Sequence, residues 1–276
     1  MNVGRKIGKG LCNIILLMFS ISCVFPILWL FSSSLKTEAE FNQSSMALPK
    51  SFNPGNFKSI IQETNLPLYV LNSFRNTIIS VAIIILISFM AGYVLSRYHF
   101  KGRSAIYNYF IIGMLVPIHA LLVPMYVQFK QAGLINHWYT LILPYVSFGL
   151  PLSIMLIESY IETIPRELEE AAAIDGCGFY QTMIQIILPM ARPILSTVAI
   201  IQFFACWNEF SFALILVSKD ELRTVPVGLT MFQGAYTVNY PRMMAGILVT
   251  IIPVMVLYFI FSKRIIEGMV AGAVKG

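Results

Sequence analysis

Six stretches of this 276-residue chain are apolar over the length a helix needs to cross a bilayer core, about 20 residues, and this constrains the fold more than any other feature. They are 11–31, 77–95, 105–129, 139–157, 194–217 and 243–262. Backbone in hydrocarbon must satisfy its own N–H and C=O groups, so runs of this kind fold as helices packed in a bundle. Composition agrees: 12% of the residues are charged, against about 25% in an average soluble domain. The expected fold is all-α integral membrane, one transmembrane domain over 1–276. Prolines in or beside the runs, among them Pro117, Pro124, Pro144, Pro151 and Pro253, predict kinks that neighbouring helices accommodate. The first run follows a basic start, as a signal peptide does. It is longer than the usual h-region of about 7–15 residues and lacks a small-x-small cleavage site, so it reads as an anchor.

The net charge of +6 does not point to nucleic acid, because the Lys and Arg residues come in ones, twos and threes beside apolar runs and form no basic block. Arg5, Lys6 and Lys9 precede the first run, Arg97, Lys101 and Arg103 follow the second, and Lys263 and Arg264 follow the sixth. Six spans place all three groups on one side, which the positive-inside rule makes cytoplasmic. The expected location is the cell membrane, multi-pass, with both termini in the cytoplasm. The links 32–76, 130–138 and 218–242 then face outward, and the first, long and polar with Pro49, Pro54 and Pro67, is expected to form a small extracellular loop structure.

Chemistry on the chain itself finds little support. Cys12, Cys23, Cys177 and Cys206 lack metal-ligand spacing and read as free thiols. No G-x-x-x-x-G-K-[ST] pattern occurs, so the chain is not expected to bind ATP. His99 and His137 lie in links without a spaced acid or cysteine cluster, and no metal or cofactor site is expected. His119, between Pro117 and Pro124, either lines a polar cavity or bonds a helix carbonyl freed by proline. Asn208 and Glu209 sit within the fifth run, where an ionisable group is costly and faces a cavity or a partner helix.

One polar interruption stands out, between the fourth and fifth runs at 163–189. Pro165 suits a first helical turn, Glu167, Glu169 and Glu170 favour a helix N-terminus, and Gly176 stops the helix. A short helix over 165–175 is predicted, with Leu168, Ala171, Ala172 and Asp175 on one face. A second piece runs from Phe179 to Leu188 and turns the chain into the fifth span at Pro189 and Pro193. Membrane-surface helices pair bulky apolar residues with Lys and Arg. This one offers acids and alanines, which suits protein docking better than anionic lipid.

Glu170-Ala171-Ala172, Gly176, Ile186 and Leu188-Pro189 reproduce the spacing EAA-x3-G-x9-I-x-LP, which resembles the signature of ABC importer permease subunits. "RELEEAAAIDG" at 166–176, "WNEF" at 207–210, "RTVPVGL" at 223–229 and "AGAVKG" at 271–276 resemble the carbohydrate branch, in particular the six-span G-type subunit of maltose-type systems. The resemblance implies a type I importer permease: a transmembrane bundle with a cytoplasmic coupling helix that docks an ATPase through Glu170, Ala171, Ala172, Asp175, Gly176, Ile186, Leu188 and Pro189. It further implies a tail, Gly272 with Val274, Lys275 and Gly276, that touches the ATPase, and a loop, Gln233, Gly234, Ala235 and Tyr236, that touches an extracellular sugar-binding protein. Asn208, Glu209 and His119 become candidates for the translocation path. Partners so implied are a second homologous, F-type permease, two ATP-binding subunits that carry ATP and Mg, the binding protein, a carbohydrate and membrane lipid.

Two rivals remain on the sequence. A membrane-embedded enzyme acting on lipid-linked sugars needs Glu209, His119 and Asp220 to converge, and a self-sufficient secondary transporter needs flux from this chain alone.

Overall fold

The helix before the basic link at Arg97 is much longer than its apolar run. In the computed structural model, which describes the backbone of residues 2–232 and 239–273 and the side chains of 9–230, 232 and 239–259, all regular secondary structure described is helical. In chain order the α-helices are α1 (Asn2–Ser34), α2 (Glu38–Gln43), α3 (Gly55–Glu63), α4 (Leu66–Arg97), α5 (Arg103–Leu115), α6 (Leu122–Gln131), α7 (Ile142–Ile161), α8 (Glu167–Ile174), α9 (Phe179–Gln181), α10 (Leu188–Met190), α11 (Arg192–Trp207), α12 (Ser211–Leu216), α13 (Val225–Gly228) and α14 (Tyr240–Ala273). Within the described residues, four helices are long and apolar enough to cross a membrane, over Lys9–Ser34, Leu66–Arg97, Ile142–Ile161 and Tyr240–Phe259. Two bent pairs bring the number to six when each pair counts as one span.

The prolines sort by position. Pro124 and Pro144 fall in the first turns of α6 and α7, where no N–H is required. Pro117 lies at the break between α5 and α6, whose arms differ in direction by 88°. The third span is thus two arms, where a kinked helix was expected. The fifth departs further: α11 stops at Trp207, Asn208 and Glu209 interrupt it, and α12 restarts at Ser211.

The chain divides into two compact units, Met1–Pro67 with Gly228–Pro253, and Leu68–Val227 with Val254–Gly276. In the first, the long polar link does form a small structure. Thr37 and Glu40 cap α2 reciprocally, Thr37 N–H donating to Glu40 Oε2 at 3.0 Å and Glu40 N–H to Thr37 Oγ1 at 3.3 Å. Lys36 is buried, its Nζ donating to the carbonyls of Ser44 and Ser45 at 3.2 and 2.9 Å. Asn56 Nδ2 closes the end of α1 by donating to the carbonyls of Ser34 and Lys36. By contrast, the apolar window of α1 has no buried residue.

In the second unit, α11 packs on α7 and α5 lies along α7, and Phe89 and Tyr93 of α4 share one core with Ile157 of α7 and Val198 of α11. Gly92 lets α4 approach α7, since a Cβ there would lie 2.9 Å from Ile157 Cγ2 and 3.1 Å from the Glu158 amide nitrogen. Gly149 allows the same closeness to Ile84 and Gln202. Gln202 Nε2 then donates to Gly149 O at 3.2 Å and Ser153 Oγ at 3.1 Å, a polar tie between α11 and α7. The start of α4 reads as a polar link because Asn72, Ser73 and Asn76 are polar. All three are buried. Asn72 Nδ2 donates to the carbonyls of Glu221 and Arg223, and Ser73 Oγ accepts from Val225 N–H at 2.9 Å. These bonds pin segment 220–225 to α4.

Candidate functional site

Two places gather the residues singled out by the sequence. The first is the projection between α7 and α11. Glu167, Glu169 and Glu170 occupy the first turn of α8, and its C-terminus closes on Gly176, whose φ of 84° is the left-handed conformation that glycine adopts freely. Cys177 N–H donates to Ala172 O at 2.9 Å and Gly176 N–H to Ala173 O at 3.1 Å, the paired closure of a Schellman motif.

The helix after that turn is irregular. Between α9 and α10 the six residues Thr182–Ile187 form a π-helical segment, with Leu188 N–H donating to Met183 O five residues back. Pro189 cannot donate, and its ring crowds the carbonyl four residues earlier, so a widened turn ahead of it relieves the clash. At Ala191 the chain bends by 73° into α11.

What holds the projection is an ion pair that the sequence did not reveal. Arg97, on the last turn of α4, pairs through Nε with Glu169 Oε1, both side chains being largely buried, and its Nη2 donates to Ile164 O at 2.8 Å. Tyr93 OH donates to the other Glu169 oxygen at 3.1 Å. Arg103 reaches Glu158 at 3.2 Å and Glu162 at 3.5 Å. Arg97 and Arg103, read as topological charges, therefore also bind the projection and the end of α7. Beneath lies a core of Tyr93, Ile157, Ile161, Met183, Ile187 and Val198, with Ile186 and Leu188 packed against it.

This geometry separates the four residues expected to share one face of α8. Ala172 is 5% exposed and turned into the chain, whereas Leu168, Ala171 and Asp175 are exposed. The small side chain lets α8 seat closely on its own protein, and the other side of the helix faces outward. On that side Glu170 is exposed and Ile174 is 86% exposed, a bare apolar side chain on the outer surface of a short helix. Of the other signature residues, Gly176 and Pro189 are exposed, while Ile186 and Leu188 are half-buried and structural.

The second place is a cavity of about 390 Å³ in the second unit, and it brings together all three path candidates, His119, Asn208 and Glu209. Aromatic walls come from Tyr145, Phe148, Phe210 and Phe212. The sequence alone leaves these aromatics unassigned, because nothing in it separates a cavity wall from a lipid-facing ring. His119 lies in the 3₁₀ turn Ile118–Leu121 that joins the arms of the bent span. Asn208 caps the end of α11. Glu209 has a defined structural role, in which Oε1 accepts from Phe212 N–H at 2.7 Å, and Oε2 accepts from Ala213 N–H at 3.1 Å and from Tyr145 OH at 3.2 Å. Its carboxylate thus caps α12, where unpaired amides and the helix dipole favour an anion. Asp220 is not part of this site. It accepts from Tyr69 OH at 2.7 Å and pairs with Arg223 at 3.0 Å, so the convergence required by an enzyme does not occur.

Gln233, Gly234, Ala235 and Tyr236 lie outside the described residues, as do Val274, Lys275 and Gly276, and Gly272 is described only as backbone of α14. Among the described residues no cluster of His, Cys, Asp and Glu is arranged to hold a metal ion.

A family model described as "Binding-protein-dependent transport system inner membrane component" matches residues 83–264. The chain is 36% identical over 270 residues to the sulfoquinovosyl glycerol transport system permease protein SmoH of Agrobacterium fabrum, covering 98% of this chain and 95% of that one. It is 34% identical over 264 residues to the trehalose/maltose transport system permease protein MalG of Thermococcus litoralis, covering 94% of each. In structure it matches a chain of a bacterial ABC transporter involved in the import of the acidic polysaccharide alginate, with a TM-score of 0.86 over 95% of this chain and 98% of that one, at 20% identity.

Proposed function

Because this chain belongs to the family of binding-protein-dependent transport system inner membrane components, and is thereby a multi-pass permease subunit of an ABC importer with no catalytic activity of its own, we propose that its cargo is a carbohydrate and that α8 couples it to separate ATP-binding subunits. The observation that carries the coupling role is the two-sided nature of α8: Glu169 and Ala172 fasten one side to α4 and the bundle, and Ile174 stands bare on the other. A helix so anchored transmits displacement to α4 as a rigid part.

The carbohydrate reading is supported by relatives that carry trehalose or maltose and sulfoquinovosyl glycerol in their names. It is also supported by the cavity, whose aromatic walls offer faces for sugar rings and whose Asn208 and His119 offer hydrogen bonds to hydroxyls. In this account the projection and both termini are cytoplasmic. A second permease completes the path, two ATPases dock beneath, and segment 218–242 meets the periplasmic binding protein. ATP-driven approach of the two ATPases rotates the permeases and exposes the path to alternate sides.

Reconstitution tests this. Vesicles holding this chain, its partner permease, the ATPase pair and the binding protein accumulate the delivered sugar when ATP is present, and omission of any one component stops uptake. Flux from this chain alone, or none from the complete set, contradicts the proposal.

A further inference from the structure

A second cavity, of about 620 Å³, lies between the first two turns of α5 and the last turns of α7. Its polar lining is dense: Arg103, Tyr107 and Asn108 on α5 face Glu158 and Ser159 on α7 and Glu162 at its C-cap. The two cavities are related through α7. Phe148 and Leu152 line the first, and Met155, Ser159 and Glu162 line the second. Steps of four, three, four and three residues place these five side chains on one helical stripe. The first four are half-buried and Glu162 is exposed, as expected for the floor of a groove opening at one end.

We propose that this stripe is a track and that the second cavity is a further saccharide subsite on it, specific for uncharged sugars. The inference rests on the reading of the first cavity as part of the translocation path. Planar polar groups such as carboxylate and carboxamide hydrogen-bond adjacent hydroxyls in pairs, and Glu162 and Asn108 supply one of each. The charge balance gives the selectivity. Glu158 is engaged by Arg103 at 3.2 Å, which leaves Glu162, with its side chain 49% exposed and the longer contact of 3.5 Å, as the excess negative charge. Among the described residues, no Lys or Arg lines the first cavity. A sugar acid thus meets carboxylates at both stations and a guanidinium already committed at one. A neutral sugar meets donors and acceptors without repulsion.

The test is protection of a thiol. The assembled importer, nucleotide-free in nanodiscs, carries Ser159→Cys with Cys12, Cys23 and Cys177, the three thiols that are not buried, replaced by Ser. Trehalose is expected to slow maleimide labelling at position 159 severalfold, and glucuronate at the same concentration to leave it unchanged. Absence of protection by trehalose overturns the subsite, and equal protection by both sugars overturns its selectivity. Phe148→Ala separates this from failure of the path reading. If that variant lowers uptake while position 159 is unprotected, the path stands without the subsite; if uptake is also unchanged, the path reading falls with it.

Discussion

Arg97 at the end of α4 and Glu169 in the first turn of α8, 72 positions apart in the chain, form a largely buried ion pair that Tyr93 completes from the same helix. Breaking one partner of such a pair strands the other without compensation, at a cost of about 3–5 kcal/mol. Arg97→Met also leaves Ile164 O without its donor. The variant is expected to release α8, raising protease cleavage within 166–178 and lowering sugar transported per ATP. Glu169→Gln keeps an acceptor for Tyr93 and is expected to do less harm. Unchanged cleavage and stoichiometry in Arg97→Met would show that the pair does not hold the projection.

Gly176 is the conformational limit of the same element. A Cβ at this position meets nothing within 4 Å, so space does not forbid a larger residue, but a φ of 84° does. The left-handed region costs a non-glycine residue about 1–2 kcal/mol, more for a β-branched one. Gly176→Val is expected to unwind the end of α8 and reduce coupled uptake, while Gly176→Asn retains most of it. Equal uptake in the two variants would remove backbone conformation as the reason for this glycine.

Glu209 is expected to act on stability before it acts on transport. Losing a carboxylate cap costs about 0.5–2 kcal/mol, and two amides of α12 and the Tyr145 hydroxyl lose their acceptor together. Glu209→Ala therefore lowers the Tm of the sugar-free subunit, and Glu209→Gln, which keeps one acceptor oxygen, lowers it less. A residue serving only as a sugar contact would leave the sugar-free Tm of both variants at the wild-type value.

Much of the membrane architecture was legible because apolar length and turn chemistry are local properties. The helix stop at Gly176 follows from residues within a turn of it, and so does a kink at Pro117, though not its size of 88°. What could not be read depends on distant partners. Asn72, Ser73 and Asn76 mark a loop by composition, yet they belong to α4 because segment 220–225 supplies partners for Asn72 and Ser73. Ala172 points into the protein although Leu168, four residues before it, and Asp175, three after it, do not, because Glu169 on the inner side draws α8 toward Arg97. Asn208 and Glu209 stand out in an apolar run, and their polarity marks a helix break and a cap as well as a cavity wall.

Coupling through α8 requires that its outer face meet an ATP-binding subunit, and Ile174 is the side chain placed to report it. A photoreactive residue introduced at position 174 in the assembled importer, followed by mass spectrometry of the adducts, gives the direct test. Cross-links to the ATP-binding subunit, lost when Arg97→Met frees the helix, are the predicted result. Adducts to lipid alone, with none to an ATP-binding subunit, would contradict it.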